Sequence, residues 1–152
     1  MTNTSSLKEQ IVAEMKSAMK SGDKERLATI RLILSAVKQV EVDTRSDVND
    51  QDLIGILDKM SKQRRESIDQ FEQAGRNDLA DKEKSELAII SDYLPQALSE
   101  AEVNLLIDQA VSQTSASSMK EMGAVMAILK PQMQGRADMS KVSKLIKARL
   151  SS

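Results

Sequence analysis

The side chains best suited to binding chemistry are cations near the C-terminus. Lys141, Lys144 and Lys147 follow one another at intervals of three residues, a spacing that places them along one edge of a helix. Lys130 and Arg136 precede them, around a turn. Such a row can contact several phosphates of a nucleic acid, and each contact adds salt-sensitive affinity. The competing interpretation is a solvated basic face that complements a helix C-terminus.

A second group of cations lies near the middle of the chain. It comprises Lys59, Lys62, Arg64, Arg65 and Arg76. Acidic residues follow closely, and a spacing such as that from Arg65 to Asp69 suits an ion pair within one helix. The sequence therefore leaves two interpretations open, a secondary nucleic-acid-binding patch or a set of structural ion pairs.

The residue types that are missing exclude much catalytic chemistry. The chain of 152 residues contains no His and no Cys, so it has no thiolate nucleophile, no imidazole base and no ordinary nitrogen or sulfur zinc site. The stretch from Asp47 imitates a calcium loop, but Asp52 stands where the sharp turn requires Gly. We expect no catalytic residue, no metal and no cofactor.

Charge is distributed unevenly along the chain, although the formal net charge is only -1. Residues 119–152 carry 7 basic and 2 acidic side chains, a net of +5, whereas residues 1–118 carry 15 basic and 21 acidic ones, a net of -6. Such asymmetry points to a polyanionic partner. Phe71 and Tyr93 are too few to form a surface that stacks bases, so we expect recognition of nucleic-acid backbone and shape.

The elements that position these side chains are predicted to be helices throughout. Five Gly and two Pro interrupt a chain rich in helix-forming residues, and apolar residues recur at helical intervals. Capping boxes are predicted at Ser6 with Glu9, Ser99 with Glu102, and Ser118 with Glu121. We therefore predict an all-α protein of two helical domains, with a four-helix domain at residues 1–95 and a three-helix domain at residues 96–152.

Individual helix ends are predicted from Gly, Pro and Asp. Gly22 and Gly75 end the first and third helices, and Asp138 caps the last one. The fourth helix is predicted to run from about residue 78 to residue 94, where Pro95 stops it. Pro131 either kinks or closes the last turn of the sixth helix.

We find no targeting or membrane-spanning pattern. The N-terminal residues 1–6 are polar and lack the apolar core of a signal peptide. Apolar runs such as 53–57 and 87–90 are far shorter than the roughly 18 residues that a membrane span needs. We expect a cytoplasmic protein that does not enter the membrane.

Two stretches of the chain resemble a known family. The first begins at Lys62-Gln63-Arg64-Arg65, continues through Ala74-Gly75-Arg76 to Tyr93-Leu94-Pro95, and resembles the N-terminal domain of the YqeY family. The second contains Leu129-Lys130-Pro131 and Gly135-Arg136-Ala137-Asp138. It resembles the tail domain that YqeY proteins share with GatB, a subunit of the tRNA-dependent amidotransferase. The resemblance extends from about residue 7 to residue 150.

The resemblance implies two helical domains joined near Pro95 and a link to tRNA, because the tail domain of GatB-like proteins helps to hold tRNA. The contacts that it implies here are Lys130, Gly135, Arg136, Lys141 and Lys144, with Gly135 allowing close approach of the backbone. The chain is too short to include the kinase-like domain of GatB, and it lacks the amidase's Ser-Ser-Lys site. We therefore do not expect it to catalyse amide transfer by itself.

Three functions follow from the sequence. The leading hypothesis is a non-catalytic protein that binds tRNA, or a tRNA–enzyme complex, through its basic C-terminal domain. The first alternative is a helical protein–protein interaction module that holds protein partners. The second is an accessory component of a glutamine-dependent tRNA amidotransferase, an enzyme with carbon–nitrogen ligase activity.

Overall fold

The computed structural model describes residues 6–151. Most of the polar N-terminal segment from which we expected no signal peptide, residues 1–5, lies outside the described residues. Within 6–151 there are seven α-helices, one short 3-10 helix and no strand, which confirms the predicted all-α fold. The α-helices are α1 (Leu7–Ser21), α2 (Lys24–Thr44), α3 (Asp50–Gln73), α4 (Asn77–Ser91), α5 (Glu100–Thr114), α6 (Met122–Met133) and α7 (Met139–Leu150).

Two compact units divide the chain, residues 1–94 and residues 95–152. Helices α1 to α4 belong to the first unit, and α5 to α7 belong to the second. Each unit has a core of its own, as described below. The assignment of these parts as separate domains stays a prediction.

The core of the first unit forms where the apolar faces of its helices meet. Its buried members are Ile11, Ile30, Ile33, Val37, Val48, Leu53, Leu57, Met60, Ile90 and Tyr93. Helices α3 and α4 make the most extensive contact in the unit. This packing fixes which side of α3 faces solvent, and therefore where its cations lie.

The core of the second unit is built from one apolar stripe on each of its three α-helices. Its buried members are Val103, Ile107, Ala110, Val125, Leu129, Met133, Val142, Ile146 and Leu150. The last three lie at intervals of four residues on α7, as expected for a helix with a single buried face. The opposite face of α7 is left to its polar and charged side chains.

Two of the three predicted capping boxes form completely. At Ser99, the side chain accepts from the Glu102 N–H, and the Glu102 carboxylate accepts from the Ser99 N–H. At Ser118, the side chain accepts from the Lys120 N–H, and the Glu121 carboxylate accepts from the Ser118 N–H. At Ser6, the hydroxyl oxygen accepts from the Glu9 N–H at 3.1 Å. The Ser118 box starts the 3-10 helix, Met119–Glu121, and α6 begins only after it.

One helix end differs from the sequence prediction. Helix α4 ends at Ser91, three residues early, because the backbone N–H groups of Asp92, Tyr93 and Leu94 donate to carbonyls only three residues back, a tighter turn than the α-helix. Pro131 lies in the last turn of α6, which ends at Met133.

No helix within residues 6–151 combines the length and the apolar character needed to cross a lipid bilayer.

Candidate nucleic-acid interface

The turn between α6 and α7 sets the position of the predicted C-terminal cations. Gly135 has a φ of 79°, a left-handed conformation that glycine adopts without a steric penalty. Just beyond it, the N–H groups of Arg136 and Ala137 donate to the Met133 carbonyl, at 2.8 and 3.0 Å. The Asp138 carboxylate then caps α7 by accepting from the Ser140 N–H at 3.0 Å. The conformation of Gly135 is thus needed by the turn itself.

The three lysines of α7 are all exposed. Val142, Ile146 and Leu150 are buried on the other side of the helix, so Lys141, Lys144 and Lys147 face solvent. Helix α7 contains no Asp or Glu between Met139 and Leu150, and therefore no acidic side chain within the helix balances these charges. The three lysines therefore form an exposed row with the spacing that the sequence predicts.

Lys130 and Arg149 differ in their surroundings. Lys130 is exposed in the last turn of α6, close in sequence to the turn that leads to the lysine row. Arg149 forms an ion pair with Asp108 of α5. Because Arg149 is paired with a carboxylate, the surface that we define here, the α7 basic surface, consists of Lys130, Lys141, Lys144 and Lys147.

Arg136 is held by main-chain atoms. Its Nε donates to the Gln96 carbonyl at 3.0 Å, and its own carbonyl accepts from the Leu98 N–H at 2.8 Å. The side chain is partly exposed. Arg136 therefore joins the segment before α5 to the turn before α7, a role that the sequence did not reveal.

The second group of predicted site residues is largely neutralised. Arg64 lies with its Nε 3.2 Å from Glu86 and 3.9 Å from Glu83, and its side chain is only 16% exposed. Arg76 donates from Nε and Nη2 to the two carboxylate oxygens of Asp78, each at 3.3 Å. These hydrogen bonds lower the pKa of Asp78 and raise that of Arg76. Two of these five cations, Arg64 and Arg76, thus form ion pairs.

Lys62 and Arg65 are exposed, but acidic residues share their side of α3. Glu66 and Asp69 are exposed as well, and at 100° per residue they project within the same half of the helix as Lys62. Asp69 accepts a hydrogen bond from Gln73 Nε2 at 3.1 Å. The exposed face of α3 carries both signs of charge, which is the pattern of a solvated helix surface.

Sequence reasoning missed a cluster around Tyr93. Arg26 donates from Nη2 to the Tyr93 hydroxyl at 3.2 Å and from Nη1 to Asp92 at the same distance. Its guanidinium carbon lies 5.7 Å from the centre of the Tyr93 ring, within range of a cation–π contact. Burial raises the pKa of Tyr93 to about 12, and its hydrogen bond with Glu14 acts in the same direction. The cluster connects α1, α2 and the end of α4.

Acidic side chains do not assemble into a cation site in the part of the chain that the structure describes. Among residues 6–151, no group of three or more Asp or Glu side chains is arranged to hold a metal ion.

Comparison with known families decides the relationship that the sequence suggested. The family model described as Yqey-like protein matches residues 8–150. The chain belongs to the YqeY family. The match includes both units, and it contains all the cations discussed above.

Several curated fungal relatives of this YqeY chain carry the name "altered inheritance of mitochondria protein 41, mitochondrial". The protein of Lachancea thermotolerans is 34% identical over 108 residues, 69% of this chain and 58% of the relative. That of Eremothecium gossypii is 41% identical over 82 residues, 53% of this chain and 45% of the relative. That of Pyrenophora tritici-repentis is 31% identical over 143 residues, 90% of this chain and 77% of the relative. The chain thus spans less than two thirds of the first two relatives.

The names of these relatives correct one expectation. We expected a cytoplasmic protein from the polar N-terminal residues and the lack of a targeting pattern. The relatives are named as mitochondrial proteins, so that expectation is wrong. The expectation was based on residues 1–6, which lack the apolar core of a secretory signal peptide. A mitochondrial targeting segment has a different composition, so that test does not apply to it.

Proposed function

We propose that this protein binds tRNA without catalysing a reaction on it, and that the α7 basic surface contacts the phosphate backbone. The observation that carries the proposal is the contrast between two exposed cation rows of equal spacing. Lys141, Lys144 and Lys147 lie on a helix without any acidic residue, whereas the cations of α3 share their helix with acidic side chains. Only the α7 row presents an excess of positive charge.

The dimensions of the row suit several phosphate contacts. With a rise of about 1.5 Å per residue, Lys141 and Lys147 are separated by about 9 Å along the helix axis. Each lysine that neutralises a phosphate releases counterions, so the affinity should fall steeply with salt. The absence of stacked aromatic side chains agrees with recognition of backbone and shape.

The resemblance of the second unit to the tail domain of GatB supports tRNA as the nucleic acid. That resemblance rests on the Leu129-Lys130-Pro131 and Gly135-Arg136-Ala137-Asp138 stretches. In this chain, they form the end of α6 and the turn to α7. The lysine row and the residues that resemble the tRNA-holding domain are therefore parts of one continuous segment.

The test is a titration of bulk tRNA with the purified protein at several salt concentrations. The test variant carries Lys141→Gln, Lys144→Gln and Lys147→Gln. We expect the parent protein to bind with a Kd below about 100 μM, and we expect the variant to lose roughly 0.7 to 0.9 units of log–log salt slope for each lost contact.

The matched control carries Lys59→Gln, Lys62→Gln and Arg65→Gln. These α3 residues are exposed and have the same spacing as the α7 lysines, so the control removes the same charge from the protein. We expect it to bind tRNA nearly as well as the parent. Equal losses of tRNA affinity in the two variants would show that only the net charge of the protein matters, and not the α7 row. Binding by the parent that is absent, or that does not depend on salt, would reject the proposal.

A further inference from the structure

Arg136 is distinguished from the lysines by the way in which its side chain is held. The Gln96 carbonyl accepts from Nε at 3.0 Å, which fixes one edge of the planar guanidinium group. The backbone of Arg136 is fixed as well, because its N–H donates to Met133 O and its carbonyl accepts from the Leu98 N–H, both at 2.8 Å. An exposed lysine on α7 has no such restraint on its ammonium group.

Arg136 has further donors on its two Nη groups. Among the described residues, its two Nη groups have no hydrogen-bond or ion-pair partner. Two carboxylates lie nearby in the unit. Asp138 caps α7 through the Ser140 N–H. Glu102 accepts from the Ser99 N–H and is also attracted electrostatically by Arg136, without a hydrogen bond between them. Arg136 therefore keeps four N–H donors on a group whose orientation is already set.

We propose that Arg136 is a pre-positioned receptor for one phosphate of the bound RNA, and that the main chain of residues 96–98 positions it. In this arrangement, Nε stays on Gln96 while Nη1 and Nη2 donate a pair of hydrogen bonds to the phosphate oxygens. This inference rests on the proposed function, because it adds a contact from the turn before α7 to those of the α7 basic surface.

Pre-positioning gives this contact properties that the lysines lack. A guanidinium group donates two parallel hydrogen bonds to a phosphate, whereas an ammonium group acts as a point charge. A group already held by the protein also loses less conformational freedom on binding. The contribution of Arg136 should therefore depend on its shape as well as its charge.

The experiment compares Arg136→Lys, Arg136→Ala and the control Arg65→Lys in tRNA titrations across salt concentrations. Arg136→Lys keeps the charge but cannot form both the Gln96 bond and the paired phosphate bonds. We expect it to bind tRNA about tenfold more weakly than the parent, nearly as weakly as Arg136→Ala. Arg65→Lys, which makes the same substitution at an exposed arginine of α3, should bind like the parent.

A structural readout separates phosphate binding from maintenance of the turn. Exchange of the Leu98 amide hydrogen, which bonds to the Arg136 carbonyl, should be unchanged in free Arg136→Lys protein. Parent-like tRNA binding by Arg136→Lys would overturn the inference while leaving the proposed function intact. Weak binding accompanied by fast Leu98 exchange would also overturn it, since Arg136 would then act on the fold alone. Absence of salt-sensitive binding by the parent would reject both proposals.

Discussion

Ser61 is a polar side chain that is buried within the first unit. It is only 1% exposed on α3, and its hydroxyl has no hydrogen-bond partner in the described structure. A buried polar group without a partner loses its hydration without compensation, at a cost of about 1–3 kcal/mol. We therefore expect Ser61→Ala to raise the free energy of unfolding by about 1 kcal/mol, measured by urea denaturation.

Ser91→Ala is the control for this prediction. The Ser91 hydroxyl is exposed and donates to the Leu87 carbonyl at 2.8 Å, so it has both a partner and access to water. We expect that substitution to change stability by less than about 0.5 kcal/mol. A loss of stability in Ser61→Ala would mean that the hydroxyl has a partner in solution, such as an ordered water molecule.

Glu41 links stability to pH in the first unit. Its carboxylate accepts from the Val48 N–H at 3.0 Å and from Lys8 Nζ at 3.0 Å. These bonds, that from Val48 foremost, lower its pKa from the usual 4.5. Because the folded state binds the proton more weakly than the unfolded state, the stabilisation is present above pH 4.5 and is lost as the pH falls below it.

We therefore expect Glu41→Gln to be less stable than the parent at neutral pH. Below about pH 4.5, its stability should fall less steeply than that of the parent. Urea midpoints measured along a pH series check both statements. Glu66→Gln, which removes an exposed carboxylate from the face of α3, is the control. Parallel pH profiles for the parent and Glu41→Gln would contradict the assignment.

At this scale, the sequence identified the cations but not their partners. The lysine row of α7 could be predicted because the buried stripe and the exposed edge follow from helical periodicity alone. Arg64 and Arg149 are neutralised by carboxylates on other helices, Glu86 and Asp108. Such pairs depend on how helices pack against each other, which local spacing does not determine.

Among the helices, two glycines show how conformation determines the role of the same residue. Gly123 lies in the first turn of α6 and is exposed, whereas Gly75 follows α3 with a φ of 72°. A Cβ atom added at either position would meet nothing within 4 Å. Steric contact is therefore the same in both cases, and only the backbone conformation differs.

We expect the two substitutions by alanine to have opposite effects. Gly123→Ala should raise the free energy of unfolding by about 0.4–1 kcal/mol, because alanine fits the helix and restricts the unfolded chain. Gly75→Ala should lower it by about 1 kcal/mol, because alanine is disfavoured at positive φ. Thermal or urea denaturation of both variants checks the signs. Stabilisation by Gly75→Ala would contradict the conformational explanation.

Helix starts were easier to predict than helix ends. The starts at Ser99 and Asp138 depend on side chains that cap the backbone within three residues, so the sequence contains the necessary information. The end of α4 depends on Tyr93, which is buried in the core and bonded to Arg26 of α2. Tertiary packing therefore ends the α-helix at Ser91, before the chain reaches Pro95.

At the scale of the whole molecule, buried apolar side chains of residues 6–151 form two clusters. The buried clusters of residues 1–94 and residues 95–152 share no member. Ile30 belongs to the first and Ile146 to the second, and both are completely buried. If the two units are domains, a substitution that weakens the packing of one unit should not change the rate at which the other unit unfolds locally.

Ile30→Val and Ile146→Val test this independence in the full-length chain. Each removes one buried methylene-sized group and should cost about 0.5–1.5 kcal/mol, which leaves the protein folded. With amide hydrogen exchange as the measurement, Ile146→Val should accelerate the slowest amides of α5 to α7 by about fivefold per kcal/mol while those of α1 to α4 keep their rates. Ile30→Val should give the reverse pattern, so each variant is the control for the other. Acceleration of both units by either substitution would show one cooperative body, because amides that exchange only by global unfolding all respond to the same loss of stability.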